Sequence, residues 1–104
     1  MATATVPLTI TPEAAARVAE LGMQTEFERM LEHARQTVPG LRRMRVTLEQ
    51  DYEGADEDGI AIWTFMKDRG LEHDRTEAEW GGWKVDTFPP DVCRHFVLLT
   101  VLEP

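Results

Sequence analysis

Cys93 and His95 stand two residues apart, a spacing that on an extended chain projects a thiol and an imidazole to the same side. Such a pair could share a metal ion or form a thiolate–imidazole couple. Either chemistry needs more donors than these two. The chain has one cysteine, and its other histidines, His33 and His73, lie in different segments. A buried thiol beside a strand-end histidine is therefore the expected state, and no metal or cofactor is expected.

The run from Gln50 to Asp58 carries Asp51, Glu53, Asp56, Glu57 and Asp58 and no base. Carboxylates are calcium ligands, but a calcium loop alternates its acids, places glycine sixth and closes on a glutamate. This run lacks that order. It reads as a solvated connection or, through Asp56, Glu57 and Asp58, as a docking strip for a basic partner. Trp80-Gly81-Gly82-Trp83 is the most distinctive local feature. Two indoles around a flexible pair either anchor a partner or line a pocket, or they plug a sheet face while the glycines allow close backbone approach. Trp63 and Phe65 would join such a site from the sheet, and Tyr52 would join it for a small ligand. Arg42, Arg43 and Arg45 form a small basic patch. On a polar strand face, solvation or pairing with Glu49 is expected of Arg43 and Arg45 before anion binding. There is no phosphate loop, no G-x-S-x-G, no H-E-x-x-H and no paired-cysteine zinc spacing.

The elements that must position these residues are organised around the stretch from Leu41 to Phe65. Met44, Val46 and Leu48 alternate with Arg43, Arg45, Thr47 and Glu49, giving a strand with one apolar face. After the acidic interruption, Asp58-Gly59 suits a turn, and Ile60 and Ile62 face opposite to Ala61, Trp63 and Phe65. A strand apolar on both faces is interior to a sheet or covered twice. The two runs predict a hairpin.

Around it, Thr5 to Ile10 reads as a short strand that Pro7 confines to an edge or a strand start. Thr11-Pro12 predicts a helix N-terminus, with Ala14, Ala15, Val18 and Leu21 buried and Gly22 ending the helix. Thr25 and Glu28 predict a capping box for a second helix whose apolar stripe is Phe27, Met30, Leu31, Ala34 and Val38, stopped by Pro39-Gly40. The stripe should cover the Met44/Val46/Leu48 face. Lys67 to Arg75 reads as a polar link. Thr76 to Val85 predicts a short or broken helix, because Gly81-Gly82 costs about 2 kcal/mol against two alanines. Pro90 starts one turn, and His95 to Leu102 is the last strand.

The fold class expected is α+β, a single domain over residues 1–104, with the ferredoxin-like order β-α(α)-β-β-α-β and an antiparallel sheet whose helices lie mainly on one face. At 104 residues and a net charge of −8, the chain does not suit phosphate neutralisation, so nucleic acid is not an expected partner. No apolar run approaches a bilayer span, the start Met-Ala-Thr-Ala-Thr has no secretory pattern, and the lone cysteine suits a reducing compartment, so a cytoplasmic home is expected. Counting faces leaves Ala61, Trp63 and Phe65, with Val97, Leu99 and Val101 or the opposite set Phe96, Leu98, Thr100 and Leu102, on a side no helix covers. Their burial is worth roughly 1.5–3 kcal/mol each, so a covering is expected. A second copy of the chain is the simplest cover, and the Trp80/Trp83 segment folding over that face is the competing one. The expected function is a non-catalytic protein-interaction module, probed at Trp63, Phe65, Trp80, Trp83 and the acids 56–58. The alternative is a small-molecule-binding protein or enzyme of the dimeric α+β barrel type.

Overall fold

The computed structural model describes residues 6–38, 40–49, 59–67 and 72–103, with the backbone alone described at 72 and 73. The elements run β1 (Leu8–Ile10), α1 (Pro12–Leu21), α2 (Gln24–Thr37), β2 (Leu41–Glu49), β3 (Gly59–Lys67), α3 (Glu72–Thr87), α4 (Pro90–Cys93) and β4 (Phe96–Glu103). The architecture is α+β, and the first strand is real but only three residues long.

The sheet order is β1-β2-β3-β4. β2 and β3 form the expected antiparallel hairpin, but β1 pairs with β2 and β3 with β4 in parallel. The sheet is therefore mixed, which corrects the expected antiparallel, ferredoxin-like arrangement. A period-2 pattern states which side of a strand is buried and leaves its neighbour's direction open. The run from Phe96 is apolar on both sides, as strands of parallel pairs commonly are. All four helices pack over one face and share one core with it, built on Val18, Phe27, Met30, Val46, Ile62, Trp80 and Phe96. In this strand order, two parallel pairs bridged over the same face cannot both cross over with the usual right hand; one crossover is left-handed.

Helix α1 begins as expected: the Thr11 hydroxyl accepts from the Ala14 N–H at 3.2 Å, and Pro12 follows as the first helical residue. Gly22 ends it with φ 68°, its N–H donating to Ala19 O. Ala15, expected inside, is exposed. The Thr25/Glu28 capping box does not form. Helix α2 already starts at Gln24, with Met23 at the cap and no side-chain cap, so Thr25 lies within the first turn. Its stripe of Phe27, Met30, Leu31 and Ala34 is buried as expected, with Phe27 stacked on Phe96 at 6.0 Å.

The largest departure is α3. The expected broken segment is one continuous helix that begins inside the expected polar link. Trp80, 2% exposed, sits in the core. Trp83 stacks on His33 at 3.8 Å and 3°, and meets Phe88 edge-on at 5.5 Å. Those contacts outweigh the propensity cost of two glycines. A Cβ built on Gly81 or Gly82 meets nothing within 4 Å, so neither glycine serves close approach. Gly82→Ala, at an exposed position, is expected to raise stability by about 0.5–1 kcal/mol, read as an upward shift of a urea midpoint with an unchanged slope. A fall would reveal a contact that the helix geometry does not contain.

The His33–Trp83 stack has a pH signature. Burial lowers the His33 pKa from its ordinary 6.5, because desolvation disfavours the charged ring. The unfolded chain then binds the proton first. The stability tied to neutral His33 is complete above about pH 6.5 and declines as pH falls through that value. Comparing melts of the wild type and His33→Gln from pH 7.5 to 5.5 isolates the effect: the wild type should lose the larger share of its stability. Parallel curves for the two proteins would remove His33 as the cause.

Candidate functional site

Strand alternation and register give the helix-free face its composition. Arg43 lies opposite Phe65, Arg45 opposite Trp63, and Thr47 opposite Ala61 across the hairpin. On the other side Ala61 neighbours Val97, Trp63 neighbours Leu99, and Phe65 neighbours Val101. The register thus selects Val97, Leu99 and Val101 from the two sets that the sequence left open on β4, and they lie beside Trp63 and Phe65 in two adjacent rows, aromatic on β3 and branched aliphatic on β4. Trp63, Phe65, Val97, Leu99 and Val101 are each only half-buried.

Two polar arrangements shape this surface. The Trp63 Nε1–H donates to Thr47 Oγ1 at 2.8 Å, and the Thr47 hydroxyl donates to Glu49 Oε1 at 2.7 Å. Ala61, the register partner of Thr47 across the hairpin, is 0% exposed. The relay holds Trp63 in one place and anchors it at the base of the patch. At the other end the Arg43 guanidinium lies 3.8 Å from the centroid of the Phe65 ring and pairs with Glu103 at 3.3 Å. It therefore spans from β2 across β3 to β4, roofing Phe65 with charge. Of the two expected states, Arg43 is exposed to solvent, and its carboxylate partner is Glu103 in place of Glu49. Between the two arrangements an open groove of about 390 Å³ is lined by Arg45, Thr47, Glu49, Trp63, Phe65 and Val101.

Among the described residues, the other sequence candidates do not meet here. Trp80 and Trp83 lie on the helix side, so they neither cover the open face nor build a pocket with Trp63 and Phe65. The side of the sheet to which a helix returns is a tertiary property, and the two pairs looked joinable only because aromatic content was counted without it. Asp56, Glu57, Asp58 and Tyr52 lie outside the described residues. Cys93 ends α4 instead of sitting on an extended strand, so the geometry expected for a Cys93–His95 couple is absent. Its Sγ donates toward the carbonyls of Lys84 and Phe88, at 3.3 and 3.4 Å. His95 is buried at the entry to β4, and its carbonyl accepts from the Ile60 N–H. Among the described residues no group of three or more His, Cys, Asp or Glu could hold a metal ion. No helix among them is long and apolar enough to cross a membrane.

One residue that sequence reasoning missed is Glu77. Its carboxylate accepts from both the Thr100 N–H at 2.9 Å and the Thr100 hydroxyl at 2.5 Å. It thereby occupies the outer edge of β4, the last strand of the sheet. A second is Lys84, whose Nζ donates to Cys93 O and Phe96 O, at 3.1 and 2.6 Å, and ties the end of α3 to the start of β4. Neither could be found from local pattern, since both reach backbone groups remote in sequence. Against known proteins, no family model matches the chain, and neither a curated protein nor a solved structure matches it.

Proposed function

We propose that the protein is a non-catalytic interaction module that docks through the helix-free face of its sheet, as a homodimer or with another protein, in the cytoplasm. The observation that carries this reading is the pair of rows Trp63/Phe65 and Val97/Leu99/Val101, side by side and roofed by no element among the described residues. A contiguous apolar patch on a sheet is costly to leave in water, and a tryptophan held by a hydrogen-bonded relay is a pre-ordered anchor. The groove's polar groups do not argue for turnover: Glu49 is tied to Thr47, and no second carboxylate or histidine faces it from the groove lining.

The alternative, a small-molecule-binding protein or enzyme of the dimeric α+β barrel type, draws on the same groove, which would become enclosed when two sheets meet. It has the weaker support, since the mixed sheet departs from the architecture on which the analogy rested.

The test uses immobilised wild type, Trp63→Glu and, as control, Val85→Glu, since Val85 is 66% exposed on α3 away from the face. Extract of the protein's own cells is passed over each and the retained proteins are identified by mass spectrometry. A partner held by the wild type and Val85→Glu and lost from Trp63→Glu is expected. Identical capture by all three would end the docking assignment.

A further inference from the structure

We infer that the free edge of β1, with the groove beside it under α2, takes an extended peptide of a partner protein as an added strand. The peptide has apolar residues at alternate positions and a basic residue beside them. This site is separate from the open sheet face and stands without it.

The two edges of the sheet are treated differently. At β4, side chains of α3 occupy the outward main-chain groups: Lys84 Nζ donates to Phe96 O at 2.6 Å, and the Glu77 carboxylate accepts from the Thr100 N–H at 2.9 Å. A strand arriving there has to displace both. At β1 the inward groups are identified by their partners. Pro7 O accepts from the Met44 N–H at 2.9 Å, and the Thr11 N–H donates to Val46 O at 3.0 Å. Alternation then turns Pro7, Thr9 and Thr11 toward β2, and Leu8 and Ile10 outward. The N–H and C=O groups of Leu8 and Ile10 meet no hydrogen-bond partner among the described residues. Pro7 does not blunt this edge, because the N–H it lacks belongs to the inward row.

The groove receives the side chains. Leu8 and Ile10 lie on the helix side of the sheet, level with Met44 and Val46. Beyond them about 570 Å³ opens between β1 and α2, with buried Phe27 and Leu31 at its floor and exposed Gln24 and Glu28 at its rim. Among the described residues none of β2 lines it, so it lies outside the sheet. In an antiparallel ladder, incoming residues opposite Leu8 and Ile10 exchange main-chain bonds with them and set their side chains on the same side. Two apolar side chains, one residue apart, therefore drop into the groove. The residue between them points the other way, beside exposed Thr9.

Charge sets the flank. Glu32 is paired with Arg35, and Arg29 lies over the Phe88 ring. Among the described residues Glu28 is bonded only to the neutral Gln24 amide, at 3.2 Å. That uncompensated carboxylate, on a chain of −8, selects lysine or arginine beside the apolar pair.

The probe is an acetylated, fluorescein-labelled peptide carrying Lys-Val-Thr-Val-Lys in a Gly-Ser frame. It is titrated into the full, isotope-labelled chain and followed by anisotropy and amide spectra. Binding at about 100 µM or tighter is expected, with the Leu8 and Ile10 amides shifting and exchanging their hydrogens more slowly. Methylating both valine nitrogens should abolish binding, because those N–H groups meet β1. Methylating the threonine nitrogen, which points away, should leave it intact. Glu28→Gln should weaken binding about two- to fivefold, and Trp63→Glu should leave it unchanged. Undisturbed Leu8 and Ile10 amides at about 1 mM peptide, or equal binding of the valine- and threonine-methylated peptides, would overturn the proposal. Shifts confined to the Trp63 face would do the same. An unchanged affinity in Glu28→Gln would overturn the basic flank.

Discussion

Trp80→Ala is expected to destabilise the protein by about 3–5 kcal/mol, the range for emptying a buried aromatic site. In a domain of this size that corresponds to a fall in melting temperature of roughly 12–25 °C. The side chain is 2% exposed, tilts against Trp83 at 6.1 Å and lies under the Lys84 ammonium, whose nitrogen is 5.6 Å from the ring. Removing it leaves a void between α3 and the sheet that close-packed neighbours fill only in part. Trp80→Phe separates packing from polarity. The indole Nε1 is buried without a hydrogen-bond partner, so the phenyl ring loses some volume but also an unsatisfied donor worth about 1–3 kcal/mol. It should therefore melt close to the wild type. Thermal and urea melts followed by circular dichroism measure both. If Trp80→Ala melted like the wild type while losing a binding partner, Trp80 would be a surface anchor and the assignment of the open face would fall.

Glu77→Ala is expected to act at the sheet's edge. The Thr100 N–H and hydroxyl both lose a charged acceptor, a change of about 1.5–3 kcal/mol for hydrogen bonds to charged groups. The melting temperature should fall by roughly 6–15 °C. The second consequence matters more for behaviour in solution. An unpaired N–H on an apolar edge strand is a template for strand addition, so concentrated Glu77→Ala should form thioflavin-positive or light-scattering aggregates sooner than the wild type. Glu77→Gln keeps an acceptor in place and should fall between the two. Unchanged melting and unchanged aggregation lag in Glu77→Ala would show that the edge is guarded by something else.

The two variants probe the helix-covered side and the edge of one sheet. Trp80 belongs to the side closed by helices, where apolar surface is already spent on the fold. Glu77 closes the edge. Among the described residues, the face bearing Trp63 and Leu99 remains open, which is why docking is proposed there and not at the Trp80/Trp83 pair, despite its conspicuous sequence.

Periodicity made much of this legible in the chain itself. The alternation at Met44/Val46/Leu48, the doubly apolar runs from Ile60 and Phe96, the Thr11-Pro12 start and the Gly22 stop are local signals, because each is set by backbone geometry within a few residues. The uncovered row at Trp63/Phe65 followed from the same counting of faces, whereas the β3–β4 register decided that Val97, Leu99 and Val101, and not the opposite set on β4, lie beside it. Only the tertiary structure decided the strand directions, the continuous helix through Gly81-Gly82, and the side of the sheet on which Trp80 and Trp83 lie. It also decided the partners of Arg43, Glu77 and Lys84. Each of these joins groups far apart in sequence, where packing and long-range hydrogen bonds override propensity, and no local pattern encodes which distant group will be met.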